Sequence, residues 1–74
     1  MFEKVKAILV EQLSVDEDIV TPDARISDDL GADSLDVMEL LMTLEDEYGI
    51  FIPDEELASF ETVSDIVTYM ENNM

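Results

Sequence analysis

Ser34-Leu35-Asp36-Val37-Met38-Glu39-Leu40-Leu41-Met42-Thr43-Leu44-Glu45-Asp46-Glu47-Tyr48-Gly49 is the stretch that decides how the rest of the chain reads. On a helix turning about 100° per residue, Val37, Leu40, Leu41, Leu44 and Tyr48 share an arc of about 100°, the width of a core-facing stripe. Leu35, Met38 and Met42 form a second apolar cluster roughly 130° away, flanked by Glu39, Glu45 and Asp46. A small bundle cannot easily bury two faces of one helix, so the second cluster is expected in solvent. A Leu-Met-Met patch rimmed by carboxylates suits docking, and methionine repacks readily against different partners. The alternative is that Met38 and Met42 pack beneath a neighbouring loop. Gly49 stands where a C-terminal cap is expected.

Working outward, Phe2 to Leu13 places Phe2, Val5, Leu9 and Leu13 at helical spacing, with Ile8 alongside. The pattern breaks from Ser14 to Asp33, which holds Pro22, several Asp and Gly31. This long segment reads as an ordered loop pinned by Ile19, Val20, Ile26 and Leu30; structureless loops of this length are uncommon and usually functional. Beyond Gly49, Pro53-Asp54-Glu55-Glu56 resembles the start of a short helix, with acids where the dipole favours them. Thr62-Val63-Ser64-Asp65 reads as a capping box with Asp in the usual Glu position, opening a last helix that bears Val63, Ile66, Val67 and Met70. The expected fold is all-α: a four-helix bundle of three longer helices and one short third helix, with a long loop between the first two. Residues 1–74 are expected to form a single domain.

Composition narrows the function. Twenty acidic residues face three basic ones, Lys4, Lys6 and Arg25, for a formal net charge of −17. Nucleic acid is excluded as a partner because its binders cluster Lys and Arg against phosphates, and anionic membranes are excluded likewise. Such a field steers a protein toward basic patches on other proteins. Disorder does not fit a chain that is 47% hydrophobic with periodic apolar positions. There is no Cys and no His, hence no disulfide staple and no zinc site, and the core must hold by packing alone. Calcium-loop registers starting at Asp16 or Asp28 fail, since Thr21 and Asp33 fall where glycine is required; no metal site is expected. The N-terminus lacks the apolar core of a signal peptide and no run is long enough to span a bilayer, so cytoplasm is the expected location.

Ser34 sits where loop becomes helix, in Leu30-Gly31-Ala32-Asp33-Ser34-Leu35-Asp36. Asp33 is the candidate N-cap and Ser34 the first helical residue; the alternative is that Ser34 itself caps. Helix N–H groups and dipole there form a natural seat for a phosphate. A catalytic serine needs a base within reach; there is no His, and both Lys lie in the first helix. If Ser34 reacts, another protein supplies the chemistry.

The run Asp29-Leu30-Gly31-Ala32-Asp33-Ser34-Leu35-Asp36, then Met38-Glu39-Leu40, Glu45-Asp46-Glu47-Tyr48, Ile52-Pro53-Asp54-Glu55-Glu56 and Thr62-Val63, resembles the acyl carrier protein family over nearly the whole chain. The resemblance implies a monomeric, non-enzymatic carrier with a covalent 4'-phosphopantetheine cofactor on Ser34. A phosphopantetheinyl transferase (a holo-acyl-carrier-protein synthase) would install the arm from coenzyme A, using its own Mg²⁺. It also implies partner enzymes of fatty acid synthesis that offer basic patches to Leu35, Asp36, Met38, Glu39, Met42, Glu45 and Asp46. Acyl chains would fold back among Val37, Leu40, Leu44, Ile52, Phe60 and Ile66. Two features depart from the family's pattern: Phe51 stands where a polar residue is usual, and no basic residue follows Arg25. Carriers of polyketide, peptidyl or D-alanyl groups share the chemistry, although peptidyl carriers usually show Gly at the position of Ala32. The reading from another class is an unmodified acidic interaction module.

Overall fold

A computed structural model describes residues 1–73, and its architecture is helical. Helix α1 spans Phe2–Leu13, α2 spans Ser34–Tyr48 and α3 spans Val63–Asn72. The short third helix of the bundle is a 3₁₀ helix, Asp54–Ser59. A further 3₁₀ turn, Glu17–Ile19, interrupts the loop after α1. Helix α1 packs against both α2 and α3, and the 3₁₀ helix Asp54–Ser59 lies against α2.

Each helix begins or ends for a local reason. Ser14 terminates α1 in the left-handed region at φ 56°, where its N–H donates to the Val10 carbonyl. Gly49 does the same for α2 at φ 65°, a conformation glycine adopts without steric cost. Helix α3 opens on the reciprocal box read from the sequence. The Thr62 hydroxyl accepts from Asp65 N–H at 3.2 Å, and Asp65 Oδ2 accepts from Thr62 N–H at 3.0 Å. The same Asp65 oxygen also accepts from Glu61 N–H at 2.9 Å.

One apolar cluster joins the elements. Val5 and Leu9 of α1, Leu40 and Leu44 of α2, and Val63, Ile66 and Met70 of α3 are almost wholly buried. Among the described residues no polar or charged residue is buried, so burial of apolar surface carries the stability. Phe60 and Tyr69 meet edge to face with ring centroids 5.6 Å apart.

The loop from Ser14 to Asp33 is fastened to the entry of α3 by backbone hydrogen bonds. Ile26 N–H donates to Glu61 O at 2.9 Å, Val63 N–H to Ala24 O at 3.1 Å, and Ser64 N–H to Pro22 O at 2.9 Å. Val20, Ile26 and Leu30 are buried as the sequence suggests, but Ile19 is 44% exposed. The 3₁₀ turn directs it outward, and Ala24 and Ala32 fill the buried positions instead.

Asp65 links this architecture to pH. Hydrogen bonds from the backbone of Glu61, then of Thr62, hold its carboxyl below the ordinary aspartate range, against a weaker opposing effect of burial. A depressed folded-state pKa contributes stability above the unfolded value of 3.8, and that contribution is lost as pH falls through the lowered value. Asp65→Asn should therefore be less stable than the parent at pH 7, by up to about 1 kcal/mol. Thermal melts should show the difference closing below pH 4.

Candidate functional site

The loop reaches α2 through a closed turn. Arg25 O accepts from both Asp29 N–H and Leu30 N–H, Asp29 Oδ2 accepts from Arg25 N–H, and Ala32 N–H returns to Ile26 O at 3.0 Å. Gly31 makes the reversal with φ 72°. The turn delivers Asp33 to the helix start in extended backbone, as an N-cap requires.

There Asp33 and Asp36 cap each other. Asp33 Oδ1 accepts from Asp36 N–H at 3.0 Å, and Asp36 Oδ2 accepts from Asp33 N–H at 3.2 Å. Capping is thus done by the residue before Ser34, and the alternative that Ser34 caps the helix is set aside. Ser34 is exposed, and among the described residues its hydroxyl engages no other group and the Ser34 and Leu35 N–H groups have no acceptor. Gln12 adds a brace that the sequence pattern gives no sign of: its side-chain amide donates to Asp36 O at 2.6 Å, tying the end of α1 to the first turn of α2.

Helix α2 carries two apolar faces. Val37, Leu40, Leu41 and Leu44 are buried and Tyr48 is half-buried. Leu35 is 68% exposed, Met38 40% and Met42 57%, so the methionines do not pack beneath the loop. Glu39 and Asp46 are exposed beside them, and Asp36 is half-buried by its capping role. Glu45 departs from the expectation of a purely outward residue. It is half-buried, and its Oε2 accepts from Ile52 N–H at 2.6 Å, fixing the strand of chain that leaves α2. Phe51, beside that anchored Ile52, is 78% exposed and covers no core.

The residues expected to line an acyl pocket are brought together. Val37, Leu40, Leu44, Ile52, Phe60 and Ile66 are all buried members of the one core cluster. They pack among the helices as core, so any chain entering between them must part side chains that hold the fold together.

Charge is scarcely neutralised. Lys4 pairs with Glu47 at 3.0 Å, and this hydrogen-bonded contact raises the lysine pKa. Arg25 approaches Asp28 at 3.5 Å, and Lys6 lies 5.9 Å above the Phe2 ring. Among the described residues no group of three or more acids converges as a metal site would require, and no helix is long and apolar enough to cross a membrane.

The fold and site define an acidic helical bundle that presents an unhindered serine, with no His or Lys beside it, at the end of an exposed Leu-Met-Met face. The family described as the phosphopantetheine attachment site matches residues 3–70. The acyl carrier protein of Helicobacter hepaticus is 57% identical over 72 residues, 97% of this chain and 95% of that protein. The solved acyl carrier protein of Enterococcus faecalis superposes with a TM-score of 0.82 at 41% identity, over 99% of this chain and 92% of that one. The chain belongs to the acyl carrier protein family. It is accordingly a carrier and not an enzyme, and its cofactor is covalently attached 4'-phosphopantetheine. As a family, these carriers meet phosphopantetheinyl transferases and synthesis enzymes.

The two faces of α2 should respond differently to truncation. Leu44→Ala removes a fully buried side chain and should cost about 2–5 kcal/mol, comparable to the whole stability expected of so small a core. Met42→Ala, on the exposed face, should stay within about 0.5 kcal/mol of the parent. Urea melts followed by circular dichroism distinguish them.

Proposed function

We propose that Ser34 is the residue esterified by phosphopantetheine and that the chain, as one monomeric carrier domain in the cytoplasm, shuttles acyl thioesters between enzymes of fatty acid synthesis. The observation that carries the assignment is the division of labour at the start of α2: Asp33 satisfies the helix end, leaving the Ser34 hydroxyl exposed and unengaged.

The residues present fit the group. The free N–H groups of Ser34 and Leu35 point outward from the helix start and suit a phosphodiester oxygen. Asp33 and Asp36 already place two carboxylates against the same helix end, so a free phosphate would bind poorly. Retention therefore depends on the covalent ester to Ser34. When bound, the arm supplies a terminal thiol that holds acyl groups as thioesters. Ser34 has no His or Lys beside it and the Asp33 and Asp36 carboxylates are engaged in capping, so its proton must be removed by the transferase that modifies it.

The exposed face then serves recognition. Leu35, Met38 and Met42 offer apolar contact, while Asp36, Glu39 and Asp46 offer carboxylates to basic patches on partner enzymes; Glu45 contributes mainly by holding Ile52. The buried set of Val37, Leu40, Leu44, Ile52, Phe60 and Ile66 is the region an acyl chain would enter. The fatty acid pathway rests on the likeness to discrete carriers and on the acidic α2 face. Ala32, in place of the second glycine usual in peptidyl carriers, favours it over that branch.

Incubation with coenzyme A, Mg²⁺ and a broad-specificity phosphopantetheinyl transferase should add one arm, read by intact mass. Ser34→Ala should abolish the addition while preserving helical circular dichroism. Persistent modification of Ser34→Ala would place the arm elsewhere.

A further inference from the structure

An open groove of about 710 Å³ runs between α1 and α2. The two helices are antiparallel: Lys4, at the start of α1, pairs with Glu47 at the end of α2, and Gln12, at the end of α1, bonds to the first turn of α2. Ala7 and Ile8 from α1 and Met42 from α2 supply its apolar lining. Glu11, Glu39 and Asp46 supply its free carboxylates, while Glu47, also in the lining, is paired there with Lys4. No cation among the described residues pairs with these three acids. Met42, Glu39 and Asp46 also belong to the outward face of α2, so the groove continues that face around the helix onto α1.

Its chemistry selects the occupant. A metal ion is disfavoured, because the acids do not converge. An anionic ligand would meet uncompensated carboxylates on both sides. The lining from Lys4 to Gln12 extends about 12 Å along the helix axis, at about 1.5 Å per residue, which matches roughly two turns of another helix. Apolar floor, acidic rim and two-turn length together describe a seat for an amphipathic basic helix.

We propose that the α1–α2 groove receives a helix of a partner enzyme whose apolar ridge meets Ala7, Ile8 and Met42 and whose Lys or Arg residues pair with Glu11, Glu39 and Asp46. The proposal rests on the reading of the α2 face as the partner surface and extends it to α1. Residues Ala7, Ile8 and Glu11 thereby become determinants of which partners dock. A partner that touches only the tip and outer face of α2 would not sense them.

The test uses a synthetic amphipathic helical peptide of about four turns, with Leu on one face and Lys along both edges, titrated into the labelled full chain by heteronuclear NMR. Shift changes should include Ala7, Ile8 and Glu11 as well as Met42. Glu11→Lys and Glu39→Lys should each weaken binding about three- to tenfold beyond Glu55→Lys, which makes the same change in net charge outside the groove. Ala7→Gln, which occludes the floor without altering charge, should weaken binding too; circular dichroism checks that each variant stays folded. If Glu39→Lys weakens binding but Glu11→Lys matches Glu55→Lys, with shifts confined to the outer face of α2, the groove proposal is overturned while the α2 reading stands. If neither differs from Glu55→Lys, both fail.

Discussion

Two hydrogen bonds between Asp33 and Asp36, each donated by the backbone N–H of one to the carboxylate of the other, fix where α2 begins. Every functional feature inherits that position. If the chain slipped by one residue through this cap, the side chains of α2 would rotate by about 100°, bringing its buried and exposed faces out of register with the core. The slip would also change whether Ser34 is a cap or a free hydroxyl. The loop exists, in structural terms, to deliver Asp33 to that place. Its own closure around Arg25 and Gly31 and its backbone ties to the entry of α3 are what make the delivery firm.

Electrostatics works against the fold and for recognition. With a formal charge of −17, compactness is opposed by self-repulsion, while the apolar core supplies the cohesion. Lys4 and Arg25 are engaged in ion pairs and Lys6 lies over Phe2. Glu47 of α2 is taken by Lys4, but Glu39 and Asp46 are left to be met by cations of another protein. Surface ion pairs within the chain would contribute little stability in any case, so leaving these acids unpaired costs less than it would gain in steering.

Much of this architecture is legible in the sequence itself. Asp33, Gly49 and the Thr62–Asp65 box are local signals, set by backbone chemistry within a few residues, and the wheel of α2 separates its two faces cleanly. What could not be read depends on contacts distant in sequence. Glu45 turns inward because Ile52 N–H lies within reach. Gln12 braces a residue 24 positions away. Ile19 looks like a core residue by type, but the 3₁₀ turn points it to solvent, and the two small residues Ala24 and Ala32 take the interior. The 3₁₀ character of Asp54–Ser59 likewise leaves no mark in a pattern so short. The groove shared by α1 and α2 exists only once the helices are paired.

The central claim is that Asp33, and not Ser34, satisfies the start of α2, leaving the serine free for modification. Comparing the urea-unfolding stabilities of Ser34→Ala, Asp33→Ala and Asp33→Ser tests it most directly, since the two Asp33 variants carry the same charge change and serine is a competent cap. The account predicts that Ser34→Ala stays within about 0.5 kcal/mol of the parent, while Asp33→Ala falls about 1 kcal/mol below Asp33→Ser. Equal stability of the two Asp33 variants, together with a comparable loss in Ser34→Ala, would contradict it.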